Sequence, residues 1–154
     1  MQTFLPFASF ADSVGVLDRQ RLGKQRIETM QIMRTLTGYY DGRWLDNIPL
    51  SRAWRGHEDE LMRYQEETID EWTRRGYQDT CLDKTRSTYD RWRSEGHEPI
   101  GVEPLWIGDE KMHEGYRALL IRKAPHLYRE LFADTDANAP FFWPGTSEPW
   151  AAVA

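Results

Sequence analysis

Between Arg19 and Arg26 the chain reads RQRLGKQR, and four cations, Arg19, Arg21, Lys24 and Arg26, fall within eight positions. From residue 19 to residue 34 they are joined by Arg34 and opposed only by Glu28. On an uninterrupted helix Arg21, Lys24 and Glu28 share one face, while Arg19 and Arg26 lie nearer the side of Leu22, Met30 and Met33. Two readings are open. The cations form salt-bridged or solvated rows, or Arg19 and Arg26 border a cleft in which a bound phosphate is their counter-charge. Whether carboxylates can reach these arginines decides between them. Lys24 has a second potential. An ammonium packed among guanidinium groups is disfavoured in its charged form, which makes such a lysine a candidate nucleophile as well as a cation.

Other residues with chemical capacity are scattered. His57 stands on an apolar helical stripe, where a satisfied core histidine competes with a functional one. His113 and Arg117 are spaced for one helix face, as a solvated pair or as anion contacts. Glu110 and His113 form a single Glu-x-x-His. Helical di-metal sites need a second copy, and none is present, so no metal or cofactor is expected. Cys81 is the sole cysteine, which excludes an internal disulfide and fits a reducing compartment. Tyr39, Tyr40, Trp44 and the FFW run at 141–143 are available to stack on or wedge between bases, or else to cover the core.

These residues need a scaffold, and the patterning predicts an all-α one: a compact single domain spanning residues 1–154, with three main helices and long loops. Ser9 and Asp12 mark a helix start, with helical patterning to Leu36 and a kink or break possible at Gly23. Residues 39–49 read as a loop. Trp54, His57, Leu61, Tyr64, Thr68 and Trp72 recur at steps of three and four, closed by Arg74, Arg75 and Gly76. A shorter helix is expected over 82–93, then a loop over 94–108. Asp109 caps a helix that turns Met112, Tyr116, Leu119 and Leu120 inward, and Pro125 ends it and begins another turn. The aromatic tail is expected to pack as a strap.

Hydrophobic residues make up 40% of the 154 and charged residues 29%, which is globular composition. The net charge of −5 removes the easy sign of nucleic-acid binding, yet it conceals an asymmetry. Glu58, Asp59, Glu60, Glu66, Glu67, Asp70 and Glu71 oppose Arg63 alone, so an acidic back face can balance a basic front. No apolar run is long enough to span a bilayer and the first residues lack a basic start, so a soluble cytoplasmic protein, most simply a monomer, is expected.

The start MQTFLPF, with VLDRQRLGKQRIE (16–28), WRGHEDEL (54–61), EWTRRGYQDTC (71–81) and MHEGYRALLIRK (112–123), resembles the pyrimidine-dimer DNA glycosylase family, of the phage endonuclease type. It is more similar to a bacterial branch of that family. The resemblance implies a DNA repair enzyme on damaged or modified duplex. The amine at the start of the chain attacks the sugar C1′, displaces the base and forms an imine that permits strand cleavage. A glutamate on the first long helix assists, and arginines hold the DNA backbone. Arg21 and Arg26 would inherit the phosphate contacts, with Arg19, Lys24, Arg55, His57, His113 and Arg117 completing the nucleic-acid set. The position expected for the glutamate is Gly23, so the nearest carboxylate on that face, Glu28, is the candidate. The long side chain of Gln2 disfavours removal of the first methionine, so the amine is that of Met1, or of Gln2 if trimmed, or Lys24 takes its place. A non-catalytic nucleic-acid-binding module that kept the groove is the alternative.

Overall fold

In a computed structural model, residues 2–39 and 48–143 are described. They form seven helices and no strand: α1 (Phe10–Gly15), α2 (Arg19–Leu36), α3 (Pro49–Trp54), α4 (Glu58–Arg74), α5 (Cys81–Ser94), α6 (Glu110–Lys123) and α7 (Pro125–Tyr128). Met1, Tyr40 and Trp44 lie outside the described residues. No helix among the described residues is long and apolar enough to cross a membrane.

The fold is all-α as expected, but the long elements are divided differently. The first break falls before Asp18, not at Gly23. Val14 and Leu17 turn into the core, and Asp18, in extended conformation, caps α2. Gly23 stays inside α2. Its missing side chain serves packing, because a Cβ there would sit 3.2 Å from Cη2 of Trp72. The stripe from Trp54 to Trp72 is likewise broken, at Gly56 (φ +88°), whose Cβ position is closed by Ile100. Trp54, Leu61 and Tyr64 are fully buried, whereas His57 and Trp72 are only half-buried.

The helix expected over 82–93 is present one residue longer at each end, and at 14 residues it makes a fourth main helix. The 14-residue α5 buries Cys81, Thr85 and Thr88 against α2 and α4, so it has no apolar stripe to announce it. Its threonines close on their own helix, Thr85 Oγ1 to the Cys81 carbonyl at 2.7 Å and Thr88 Oγ1 to that of Thr85 at 2.8 Å. Of the tail expected as a strap, only residues up to 143 are described, and this part packs on the body. Phe141 is buried against Tyr116, and Gly115 lets the strap backbone approach α6, where a Cβ would meet the Pro140 carbonyl oxygen at 2.7 Å.

At the centre runs a non-helical segment, residues 2–7, buried through Pro6 with no strand beside it. Side chains satisfy its backbone instead. Gln25 Oε1 accepts the Phe4 N–H (3.0 Å), and the Tyr64 hydroxyl lies 2.9 Å from the Phe4 carbonyl and 2.9 Å from Gln25 Oε1. Trp54 Nε1 donates to Thr3 Oγ1 (3.0 Å), and Ser13 Oγ serves the N–H and C=O of Phe7 at 3.0 and 2.8 Å. Gln25 and Tyr64 are fully buried. Gln25→Leu strands the Phe4 N–H and removes an acceptor of the Tyr64 hydroxyl, so it should destabilise the fold by about 2–4 kcal/mol. Urea unfolding checks this, and a loss below about 0.5 kcal/mol would show that the segment does not depend on Gln25.

Candidate functional site

The segment delivers residue 2 to a cleft of about 200 Å³ on the outer face of α2. The backbone nitrogen of Gln2 lies 3.0 Å from Glu28 Oε2. Gln25 Nε2 approaches the same oxygen at 3.5 Å, so one buried glutamine holds the segment through one end of its amide and faces the carboxylate with the other. Gln20, Lys24 and Glu28 follow one i, i+4 ridge of α2, and Arg21 and Gln25 the next. Phe4 forms the apolar part of the wall, and Lys123, from the last turn of α6, comes in from the other side. Lys24 and Lys123 are exposed at the rim, and among the described residues neither has an ion-pair partner.

Carboxylates do reach two of the arginines. Arg26 Nη1 meets Asp79 Oδ1 at 2.6 Å, with the guanidinium 4.3 Å from the Trp72 ring centroid. Arg26 therefore faces away from the cleft, in a shallow groove of about 620 Å³ beyond the Gln20 and Lys24 ridge, over Gly23 and Ile27. Arg19 borders the same groove, exposed and 5.1 Å from the Tyr77 ring centroid, with no carboxylate partner among the described residues. Arg21 lines the cleft and pairs with Asp18 at 3.0 Å.

The remaining sequence candidates lie elsewhere. His113 is 1% exposed, which takes it out of reach of any nucleic acid. The Gly108 N–H donates to its Nε2 (2.9 Å), so Nδ1 carries the proton and donates to the Leu5 carbonyl at 2.7 Å. Arg117 Nη1 donates to the Pro6 carbonyl (2.7 Å), and the same guanidinium is paired with Glu110. Both residues pin the central segment, at Leu5 and Pro6. Arg55 caps α3, and His57 Nδ1 lies 2.8 Å from the Val102 carbonyl; neither lines the cleft. Phe141 belongs to the core, and Tyr39 lies under the Arg91 guanidinium at 4.5 Å. No group of three His, Cys, Asp or Glu side chains among the described residues gathers as a metal site.

Four cleft residues escape the sequence reading: Phe4, Gln20, Gln25 and Lys123. Gln20 and Gln25 carry no charge to mark them. Lys123 has an ordinary explanation as a cation at a helix C-terminus, and only the fold brings it 99 positions back to Lys24.

A family model described as pyrimidine dimer DNA glycosylase matches residues 1–85. The chain belongs to that family. The match takes in the central segment, α1 to α4 and every cleft residue except Lys123. Comparison with curated proteins found no match, and comparison with solved structures found none.

Burial pushes the Asp18 carboxyl upward, but hydrogen bonds from Tyr128 and Arg21 outweigh it and hold the group below its ordinary value. A carboxyl lowered in the folded state contributes stability that is complete above its unfolded pKa, near 3.9, and is lost as pH falls through the folded value. The urea midpoint should therefore decline below about pH 4, and Asp18→Asn should flatten that acid limb. Equal acid slopes for the two proteins would show that Asp18 is not held in this way.

Proposed function

We propose that this chain is a DNA glycosylase acting on pyrimidine dimers and related damaged bases in duplex DNA, with the amine at the start of the chain as nucleophile. The observation that carries the reading is the Gln2 nitrogen 3.0 Å from Glu28 Oε2, inside a cation-rimmed cleft. If Met1 is removed, this nitrogen is itself the amine; if Met1 stays, the amine is one residue further out. The unprotonated amine attacks C1′, the C1′–N bond to the base breaks, and the base leaves with its electron pair and takes a proton. Loss of the sugar ring oxygen from C1′ then gives the imine. Glu28 is positioned to move protons in these steps and to take one from C2′, which drives β-elimination of the 3′ phosphate.

The rim supplies the binding. Arg21, Lys24 and Lys123 surround the cleft with positive charge, which suits the phosphates flanking a target nucleotide and disfavours a further positive charge on the attacking amine. Arg19 extends the cationic surface beyond the ridge, and Arg26, neutralised by Asp79, braces Trp72 rather than offering a free charge. An α-amine has a reference pKa of about 8 and a lysine about 10.4, so at neutral pH the former is unprotonated roughly a hundredfold more often. That ranks the terminus above Lys24. The working unit extends past the family match to include α6, because Lys123 completes the rim.

Borohydride trapping on abasic-site and dimer-containing duplex tests the reading, with the adduct located by mass spectrometry. An adduct on the first residue is expected, and one on Lys24 would reverse the order of nucleophiles. Salt-sensitive binding with no adduct would leave the non-catalytic module. Glu28→Gln should lower strand cleavage by about 10²–10⁴-fold while DNA affinity stays within a few-fold. Lys24→Ala and Lys123→Ala should each lower the salt slope of binding by about one.

A further inference from the structure

We propose that Tyr128 is a positioning residue for the cleft, acting through Asp18 to hold the Arg21 guanidinium in the orientation that grips a DNA phosphate; the inference rests on the DNA reading above. The Tyr128 hydroxyl spends both of its hydrogen-bonding capacities on one residue. It accepts the Asp18 N–H at 2.8 Å and donates to Asp18 Oδ1 at 2.5 Å. Backbone and side chain of Asp18 are fixed together. The same Oδ1 takes Arg21 Nη1 at 3.0 Å, and Oδ2 accepts the Arg21 N–H at 3.4 Å as the cap of α2.

Alone, an Asp and an Arg spaced i, i+3 near the surface hold each other weakly, because both side chains keep their rotamer freedom. Here the side chains are 18% and 20% exposed, and the anchor behind them is buried. Tyr128 is 1% exposed, and its ring stacks on Phe132 at 5.8 Å with an interplanar angle of 8°. Asp18 engages Nη1 of Arg21, which leaves the other guanidinium donors for the cleft that Arg21 lines. A guanidinium with one edge tethered loses less freedom when it takes up a phosphate.

The anchor arrives from 110 positions away. Pro125 starts α7 directly after α6, so the short corner from Lys123 to Tyr128 does two things. It places a lysine on one rim of the cleft and a hydroxyl behind the arginine on the wall. The corner thereby ties the second half of the chain to the catalytic helix.

Tyr128→Phe tests this, since it keeps the ring and its stack on Phe132 and removes only the hydroxyl. Affinity for an abasic-site duplex should fall roughly tenfold, the size expected for one hydrogen bond to a charged group. Arg21→Ala should fall by at least as much, and the double variant should be no weaker than Arg21→Ala alone. Losses that multiply in the double variant, or wild-type affinity in Tyr128→Phe, would overturn the proposal while leaving the DNA reading in place. A readout without DNA separates the two further. In the unsubstituted protein the Arg21 Nη protons, slowed by the Asp18 bond, should give resolved NMR signals, identified by their loss in Arg21→Ala. They should broaden away in Tyr128→Phe, and their persistence there would overturn the proposal. If the unsubstituted chain binds no DNA, the DNA reading fails and the inference with it.

Discussion

A non-helical segment buried in a helical protein has no neighbouring strand to take its hydrogen bonds, and most of this structure follows from meeting that need. Residues 2–7 carry N–H and C=O groups into the core, where an unpaired one costs as much as a lost hydrogen bond. The partners come from five helices: Ser13 from α1, Gln25 from α2, Trp54 from α3, Tyr64 from α4, and His113 and Arg117 from α6. Moving any one of these five helices would break a bond in the same short segment. The arrangement holds the Gln2 backbone nitrogen within hydrogen-bonding distance of Glu28.

The helix α2 divides its labour by face. Leu22, Gln25, Thr29, Ile32 and Met33 face the core, where Gln25 carries polar contacts that an apolar residue could not supply. The ridge of Gln20, Lys24 and Glu28 faces the cleft, and Gly23 opens the third side to Trp72. Concentrating cations on one helix is compatible with a net charge of −5 because acidic residues cluster elsewhere, seven of them on α4. Several of those are neutralised locally, as where Glu71 binds Arg74 and Arg75 at 2.5 and 2.8 Å. The field at the cleft is therefore set by nearby charges and not by the total.

Buried polar residues carry much of the specificity here. Gln65 Nε2 bridges the Arg26 carbonyl at 2.8 Å and Thr85 Oγ1 at 3.0 Å, joining α4 to α2 and α5 across a seam that is largely polar. Such contacts are demanding, since each must be satisfied to be tolerated. They also fix the rotation of α2, so that Glu28 faces Gln2.

What the amino-acid sequence determined by itself was the helical class, the cap at Ser9, the stop at Gly76, the Asp109 start and the Pro125 break, all local matters of propensity and capping. It also singled out the cations of α2 and Glu28, because charge type and helical spacing are local too. It placed α5 to within one residue at each end but ranked it below the main helices, because its buried face is threonine and cysteine, and it misread Gly23, where a packing requirement looks the same as a helix breaker. Only the tertiary structure decided which arginines carry counter-charges, that His113 is an internal pin, and that Lys123 and Tyr128 belong with residues about a hundred positions earlier. Those facts depend on which side chains meet across the core, and helical periodicity describes one face of one helix without naming the residue opposite.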